Sequence, residues 1–145
     1  MSTRTFFTKE EQNKIEEAIS SAEKNTSGEI RVYLDNKCGE DVLDAATFQF
    51  KKLKMHKTEL RNGVLFYLSL NDRKFAILGD KGIHEKVPEN FWDSIRNTVI
   101  AHFKKQEFAQ GLIKGIEMAG EKLKTHFPYQ TNDTNELSND ISFNK

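Results

Sequence analysis

The side chains of this sequence that could do chemistry are carboxylates, a few arginines and a single thiol, and they sit next to glycines. Glu29 follows Gly28, Arg61-Asn62 precedes Gly63, and Asp80 lies within Gly79-Asp80-Lys81-Gly82. Carboxylate oxygens such as those of Glu29 and Asp80 are the ligands that Ca²⁺ and Mg²⁺ prefer. An arginine such as Arg61 holds a phosphate or carboxylate through two parallel hydrogen bonds. Glycine beside them permits close backbone approach and positive φ. A second oxygen-rich set comprises Asp35, Asn36, Asp41, Asn71 and Asp72. Both sets also have an ordinary structural use, because turns at strand ends favour Asn, Asp and Gly.

Several familiar sites are missing. There is no phosphate-binding glycine loop of the Walker type and no GxGxxG after a strand. His56, His84, His102 and His126 show no metal-ligand spacing, and Cys38 is the only cysteine. A structural zinc site and an intramolecular disulfide are both out of reach. A cysteine phosphatase loop needs an arginine six positions after the nucleophile, and that position here is Asp44. Leu34-Asp35-Asn36 offers one carboxylate where an aspartyl-phosphate enzyme needs a pair, and no Ser-His-Asp arrangement is identifiable. No catalytic residue is assigned.

The elements that position these residues follow from periodicity. Val64–Leu68 and Phe75–Leu78 are apolar runs bracketing a polar turn centred on Asn71-Asp72, which reads as a β-hairpin. Unbroken apolarity implies strands covered on both faces. Ile30, Val32 and Leu34 alternate with Arg31 and Tyr33, giving a strand nearer an edge. Thr8 and Glu11 fit a capping box ahead of a helix with Ile15, Ala18, Ile19 and Ala22 on one face. Asp41 is a suitable N-cap for a helix lined by Val42, Ala46, Phe50 and Leu53. Strand, helix, strand predicts two parallel strands joined by a crossover. The hairpin then adds an antiparallel third strand, so the sheet is mixed. Pro88 is expected to open a helix with Phe91, Trp92, Ile95, Val99 and Phe103 on its apolar stripe. A last helix runs from Phe108 to just before Pro128, and its Gly111 and Gly115 share a face. They fit either close helix packing or tolerated surface glycines. This topology gathers Glu29, Arg61 and Asp80 at one end of the sheet. It sends Asp35 and Asp72 to the other, where open α/β sheets usually bind ligands. The first end is preferred for a metal (Asp80, Glu29), with Arg61 for an anion; Asp35 and Asp72 are the alternative.

With 145 residues, 30% of them charged and a formal net charge of +0, the chain fits one soluble domain plus a tail. No basic block points to nucleic acid, and no apolar segment has membrane length. The first residues lack the apolar core of a signal peptide, so a cytoplasmic location is expected. The domain is expected over 1–128, and the polar, Asn-rich stretch 129–145 is expected to be a disordered tail.

Ser27-Gly-Glu-Ile-Arg-Val-Tyr33, Asn62-Gly-Val-Leu-Phe-Tyr-Leu-Ser69 and Asn71-Asp-Arg-Lys-Phe-Ala-Ile-Leu-Gly79 together resemble the TPM domain. This family includes thylakoid-lumen acid phosphatase-like proteins and their bacterial relatives. Phe103 and the segment Phe108-Ala-Gln-Gly-Leu112 fit as well, and the resemblance spans roughly Phe6 to Phe127. It implies a three-layer α/β/α sandwich around a small mixed sheet, a divalent-cation site (Ca²⁺ or Mg²⁺) and acid phosphatase activity on phosphomonoesters. The matching positions are Gly28, Glu29, Gly63, Arg73, Gly79 and Gly82, of which Glu29 and Arg73 carry functional chemistry; Arg73 joins Arg61 as an anion contact. The acidic motif often found near the family's N-terminus has no counterpart in Thr5-Phe-Phe-Thr-Lys9. Two functions therefore fit. One is a metal-dependent phosphatase acting on a phosphorylated small molecule. The other is a non-catalytic module that binds a partner protein, for instance in maintaining a membrane complex.

Overall fold

A computed structural model describes residues 3–129 and 137–143. The order of elements is α1 (Thr3–Phe6), α2 (Lys9–Ala22), β1 (Glu29–Asp35), α3 (Val42–Lys52), β2 (Gly63–Ser69), β3 (Lys74–Gly79), α4 (Lys81–His84), α5 (Asp93–Lys104), α6 (Phe108–His126) and β4 (Ser142–Phe143). A 3₁₀ turn at Met55–Lys57 separates α3 from β2. The strands form one sheet in the order β3-β2-β1-β4. β1 and β2 are parallel, β2 and β3 antiparallel, and β4 runs parallel to β1. The expected α/β/α sandwich around a mixed sheet is what the chain forms. Among the described residues, no helix is long and apolar enough to cross a membrane.

All seven residues of β2 are buried. Successive side chains of a strand point to opposite faces, and here each face has its own core. Ile30, Val32, Leu34, Val64, Phe66 and Leu68 pack beneath α2, α5 and α6, in the larger core. Tyr33, Leu65 and Tyr67 pack with Ala46 and Phe50 of α3 and with Met55, in the smaller one. The capping box at α2 is complete: the Glu11 amide donates to Thr8 Oγ1 at 3.1 Å and the Thr8 amide to Glu11 Oε1 at 2.9 Å. Asp41 caps α3 through bonds from the Leu43 and Asp44 amides.

Two expectations are corrected. Pro88 does not open α5, which begins at Asp93. Residues 88–92 turn instead, the Phe91 amide bonding Pro88 O at 3.0 Å, so that Phe91 drops into the core. β1 lies nearer an edge than β2, as expected: β4 pairs with it only at Tyr33 and Leu34, although Tyr33 is itself buried and stacks on Tyr67 at 5.9 Å. The second correction concerns the tail. Residues 137–143, expected to be disordered, lie on the sheet, whereas 130–136 and 144–145 fall outside the described residues. Leu137 enters the smaller core and Ile141 the larger. The Leu137 amide donates to Glu29 Oε1 at 2.6 Å, the Ile141 amide to Glu16 Oε2 at 3.2 Å, and Arg31 Nε to Ser142 Oγ at 3.0 Å. A few apolar side chains and side-chain caps anchor a segment whose polar composition hides them.

The glycines of α6 serve close packing. A Cβ on Gly115 would meet Val99 Cγ2 at 2.5 Å and Phe66 Cε2 at 3.1 Å. Replacing Gly115 with Ala should raise helix propensity by up to about 1 kcal/mol yet lose about 1–3 kcal/mol to overpacking. Urea denaturation should therefore show a lower midpoint for Gly115→Ala.

Glu23, just after α2, accepts from the Ile30 amide at 2.9 Å, on the side of β1 turned away from β2. Burial pushes its carboxyl up to about 7; the Ile30 bond works against that rise and the nearby Glu29 adds to it. The folded protein thus holds this proton more tightly than the unfolded chain does. The associated stability is complete below the ordinary value of 4.5 and is lost as pH rises through about 7. Urea midpoints should fall between about pH 5 and 7.5, by the equivalent of about 2 kcal/mol at most. Glu23→Gln should flatten that profile.

Candidate functional site

The register brings each polar set together at one end of the sheet. At the first end Glu29 pairs with Gly63, Val64 pairs with Gly79, and the Asp80 amide bonds Gly63 O at 2.9 Å. Glu29 and Asp80 thus flank Gly63, two strand spacings apart, or roughly 9–10 Å between Cα atoms. Arg61 grips Asp80 through two of its guanidinium nitrogens, Nε to Oδ2 and Nη2 to Oδ1, each at 2.9 Å. Asp80 is buried, and its Oδ1 also accepts from the Lys81 amide at 2.7 Å. The backbone is shaped around this pair. Arg61 has a φ of 51°, and the Gly82 amide donates to Arg61 O at 2.9 Å. A Cβ on Gly82 would lie 2.2 Å from Leu60 O, so only glycine fits. Glu29 is buried and receives the Leu137 amide. Both carboxylates here are engaged by the chain itself, and the charge of Asp80 is matched by Arg61.

At the opposite end β1 and β2 pair out to Asp35 and Ser69. The Leu70 and Asn71 amides extend the ladder to Asp35 O and Asn36 O, each at 2.9 Å. Asp35 Oδ2 accepts from the Tyr67 hydroxyl at 2.6 Å and Oδ1 from the Asn36 amide at 2.9 Å. Asp72, exposed in the hairpin loop, accepts from the Cys38 amide at 2.8 Å and the Ser69 hydroxyl at 3.1 Å, both on Oδ2. Every one of these donors is neutral, and neither carboxylate forms an ion pair among the described residues. The Cys38 contacts, backbone first, hold the Asp72 carboxyl below its ordinary range, so it is charged at neutral pH. Asn36 Oδ1 is buried and finds no partner among the described residues. Asn62 Oδ1 at the first end is likewise buried and unpartnered, but its Nδ2 bonds Ser27 O at 2.9 Å.

Tyr67 and Ser69, which donate to these two carboxylates, are the side chains of this candidate site that sequence reading missed. They sit inside an apolar strand, and the available signal was a hydroxyl pair near its end. Burial and the bond to Asp35 raise the Tyr67 phenol, which stays protonated as a donor. Burial also pushes the Cys38 thiol up, away from the thiolate a nucleophile needs. Asp41 is spent on capping α3. Arg73, exposed with φ 53°, follows Asp72 in the loop and makes no ion pair among the described residues. No group of three or more His, Cys, Asp or Glu converges among the described residues. A cation at either end would therefore need amide, hydroxyl, backbone or water oxygens as well, which suits Ca²⁺ or Mg²⁺ rather than zinc.

Comparison with known proteins agrees with this architecture. The NMR structure of BA42 from the psychrophilic bacterium Bizionia argentinensis superimposes with a TM-score of 0.91 at 49% identity, covering 96% of each chain. The N-terminal domain of a P. gingivalis protein matches with a TM-score of 0.70 at 18% identity, over 90% of this chain and 89% of that one. The N-terminal domain of cg2496 from Corynebacterium glutamicum matches with 0.65 at 13% identity, over 97% and 81%. These last two share the fold. No curated protein matches the sequence. Residues 2–122 match the TPM domain, and the chain belongs to the TPM domain family.

Proposed function

We propose that this chain is a divalent-cation-binding domain, with Ca²⁺ or Mg²⁺ held at the Asp35/Asp72 end of the sheet. One observation supports this reading above the rest. Two carboxylates share that end with only neutral donors, and the buried Asn36 Oδ1 in the same loop region has no partner. Hard oxygen donors of this kind fit either ion, with water completing the shell. The Glu29/Asp80 end takes second place, because a cation there would have to compete with Arg61. On this reading the activity to test is hydrolysis of a phosphomonoester. A bound ion supplies charge neutralisation for a phosphoryl group and lowers the pKa of a bound water. Arg73, next to Asp72, supplies an anion contact. Asp35 is held in place by Tyr67, and Asp72 by Ser69 and the Cys38 amide.

Titrating Ca²⁺ or Mg²⁺ while following amide chemical shifts tests the site. Amides of residues 35–38 and 69–73 should shift saturably at about millimolar cation. Asp72→Asn should weaken binding about tenfold, and Asp80→Asn should leave it unchanged. Shifts confined to Glu29, 61–63 and Asp80 would move the site to the other end; no shifts at all would reject cation binding. An aryl phosphate assay on the same variants separates the two functions. Ion-dependent turnover lost in Asp72→Asn assigns hydrolysis. Ion binding without turnover assigns a binding module.

A further inference from the structure

Beside the acidic loop, a cavity of about 430 Å³ opens where the two helical layers meet the end of the sheet. Leu68 of β2, Phe75 of β3, Ile100 and Phe103 of α5 and Phe108 of α6 form its apolar wall. The three phenylalanines run in sequence: Phe75 meets Phe103 edge-on at 5.5 Å, and Phe103 meets Phe108 at 5.2 Å. Ile100, Phe103 and Phe108 are only partly buried, so they present apolar surface to this space. The charged residues lining it are Arg73, Lys74 and Lys104, and no carboxylate lines it. Lys74 Nζ donates to Glu40 O at 3.4 Å and its charge helps hold the Asp72 carboxyl low; Arg73 and Lys104 form no ion pair among the described residues. A chain with 22 basic and 22 acidic residues has no general excess of positive charge, so the single sign here is local.

A concave, mostly aromatic and aliphatic site with a few charged groups is the usual form of a small-molecule pocket, and its volume falls within the usual range. We infer that this cavity binds a small organic anion: an apolar alkyl or aryl body against Phe75, Phe103 and Phe108, with a carboxylate or phosphate head on Arg73 and Lys104. The apolar body loses water-exposed surface in the cavity. The head gains charge-assisted hydrogen bonds that a neutral or cationic head cannot make. The site needs no metal ion, and its test is run in chelator so that it stands apart from cation binding.

Decanoate, decanol and decyltrimethylammonium, each below its micelle-forming concentration, are titrated against the full chain with amide shifts as the readout. Decanoate should shift Leu68, Phe75 and residues 100–108 saturably, and decyltrimethylammonium should bind at least about tenfold more weakly. The double variant Arg73→Asn, Lys104→Gln removes two surface cations; Asn tolerates the positive φ at position 73. It should weaken decanoate about tenfold while leaving decanol within about twofold. Ile100→Trp fills the cavity and should abolish decanoate binding; if that variant does not fold, the double variant decides alone. Equal binding of anion and cation, shifts outside this wall, no saturable binding, or an unchanged double variant would each overturn the inference.

Discussion

Complete burial of β2 is the constraint from which the rest of the architecture follows. A strand with no exposed residue must have neighbours on both edges and a layer on each face. β1 and β3 provide the edges. The faces are filled unequally, by three helices on one side and by α3, Met55 and Leu137 on the other. The thinner layer explains why the C-terminal segment returns to the sheet. Leu137 covers surface that α3 leaves open near Gly63, where its Cδ1 would lie 3.5 Å from an added Cβ. Polar chemistry is excluded from the middle of the sheet and confined to its two ends.

The two ends treat charge differently. At Glu29 and Asp80 the carboxylates are buried, and burial of a charge is costly unless it is paired and hydrogen-bonded. Arg61 and backbone amides meet that requirement, at the cost of a left-handed backbone at Arg61 and an obligatory glycine at position 82. At Asp35 and Asp72 the carboxylates are partly or fully exposed, so water shares the solvation and neutral donors suffice. An exposed Asp72–Arg73 ion pair would contribute less than about 1 kcal/mol, so the fold loses little by leaving these neighbours unpaired. The first arrangement locks strand ends together; the second leaves two unlike charges open to external ions.

Much of this was legible in the residues. Periodicity located both parallel strands, the hairpin, the capping box and Asp41, because each is written in local spacing. Juxtaposition of the two polar sets followed from topology alone. The state of those sets did not. Arg61 and Asp80 are 19 positions apart, and only the register shows that they meet. Tyr67 was hidden because a buried phenol reads as one more apolar residue until Asp35 is placed opposite its hydroxyl. Leu137 and Ile141 were overlooked because two apolar side chains in a polar stretch show no period. Pro88 misled for the opposite reason: it satisfies a helix start locally, but burial of Phe91 selects a turn there.

The apolar cavity lies at the same end of the sheet as Asp35 and Asp72, and one hairpin loop connects them. Asp72 faces the Cys38 loop, whereas Arg73, one residue on, lines the cavity. The left-handed backbone at Arg73 is what allows consecutive side chains to part in this way, since it turns the chain between them. A β-branched residue at position 73 would be strained at that φ, so the loop's shape and its division of charge depend on the same residue. A Gly at 73 would keep the turn and lose the cation, which separates the loop's structural role from its electrostatic one. The four-residue loop between β2 and β3 thus does more than close a hairpin: it sets a negative group against the Cys38 loop and a positive one beside the cavity within a single step of the chain.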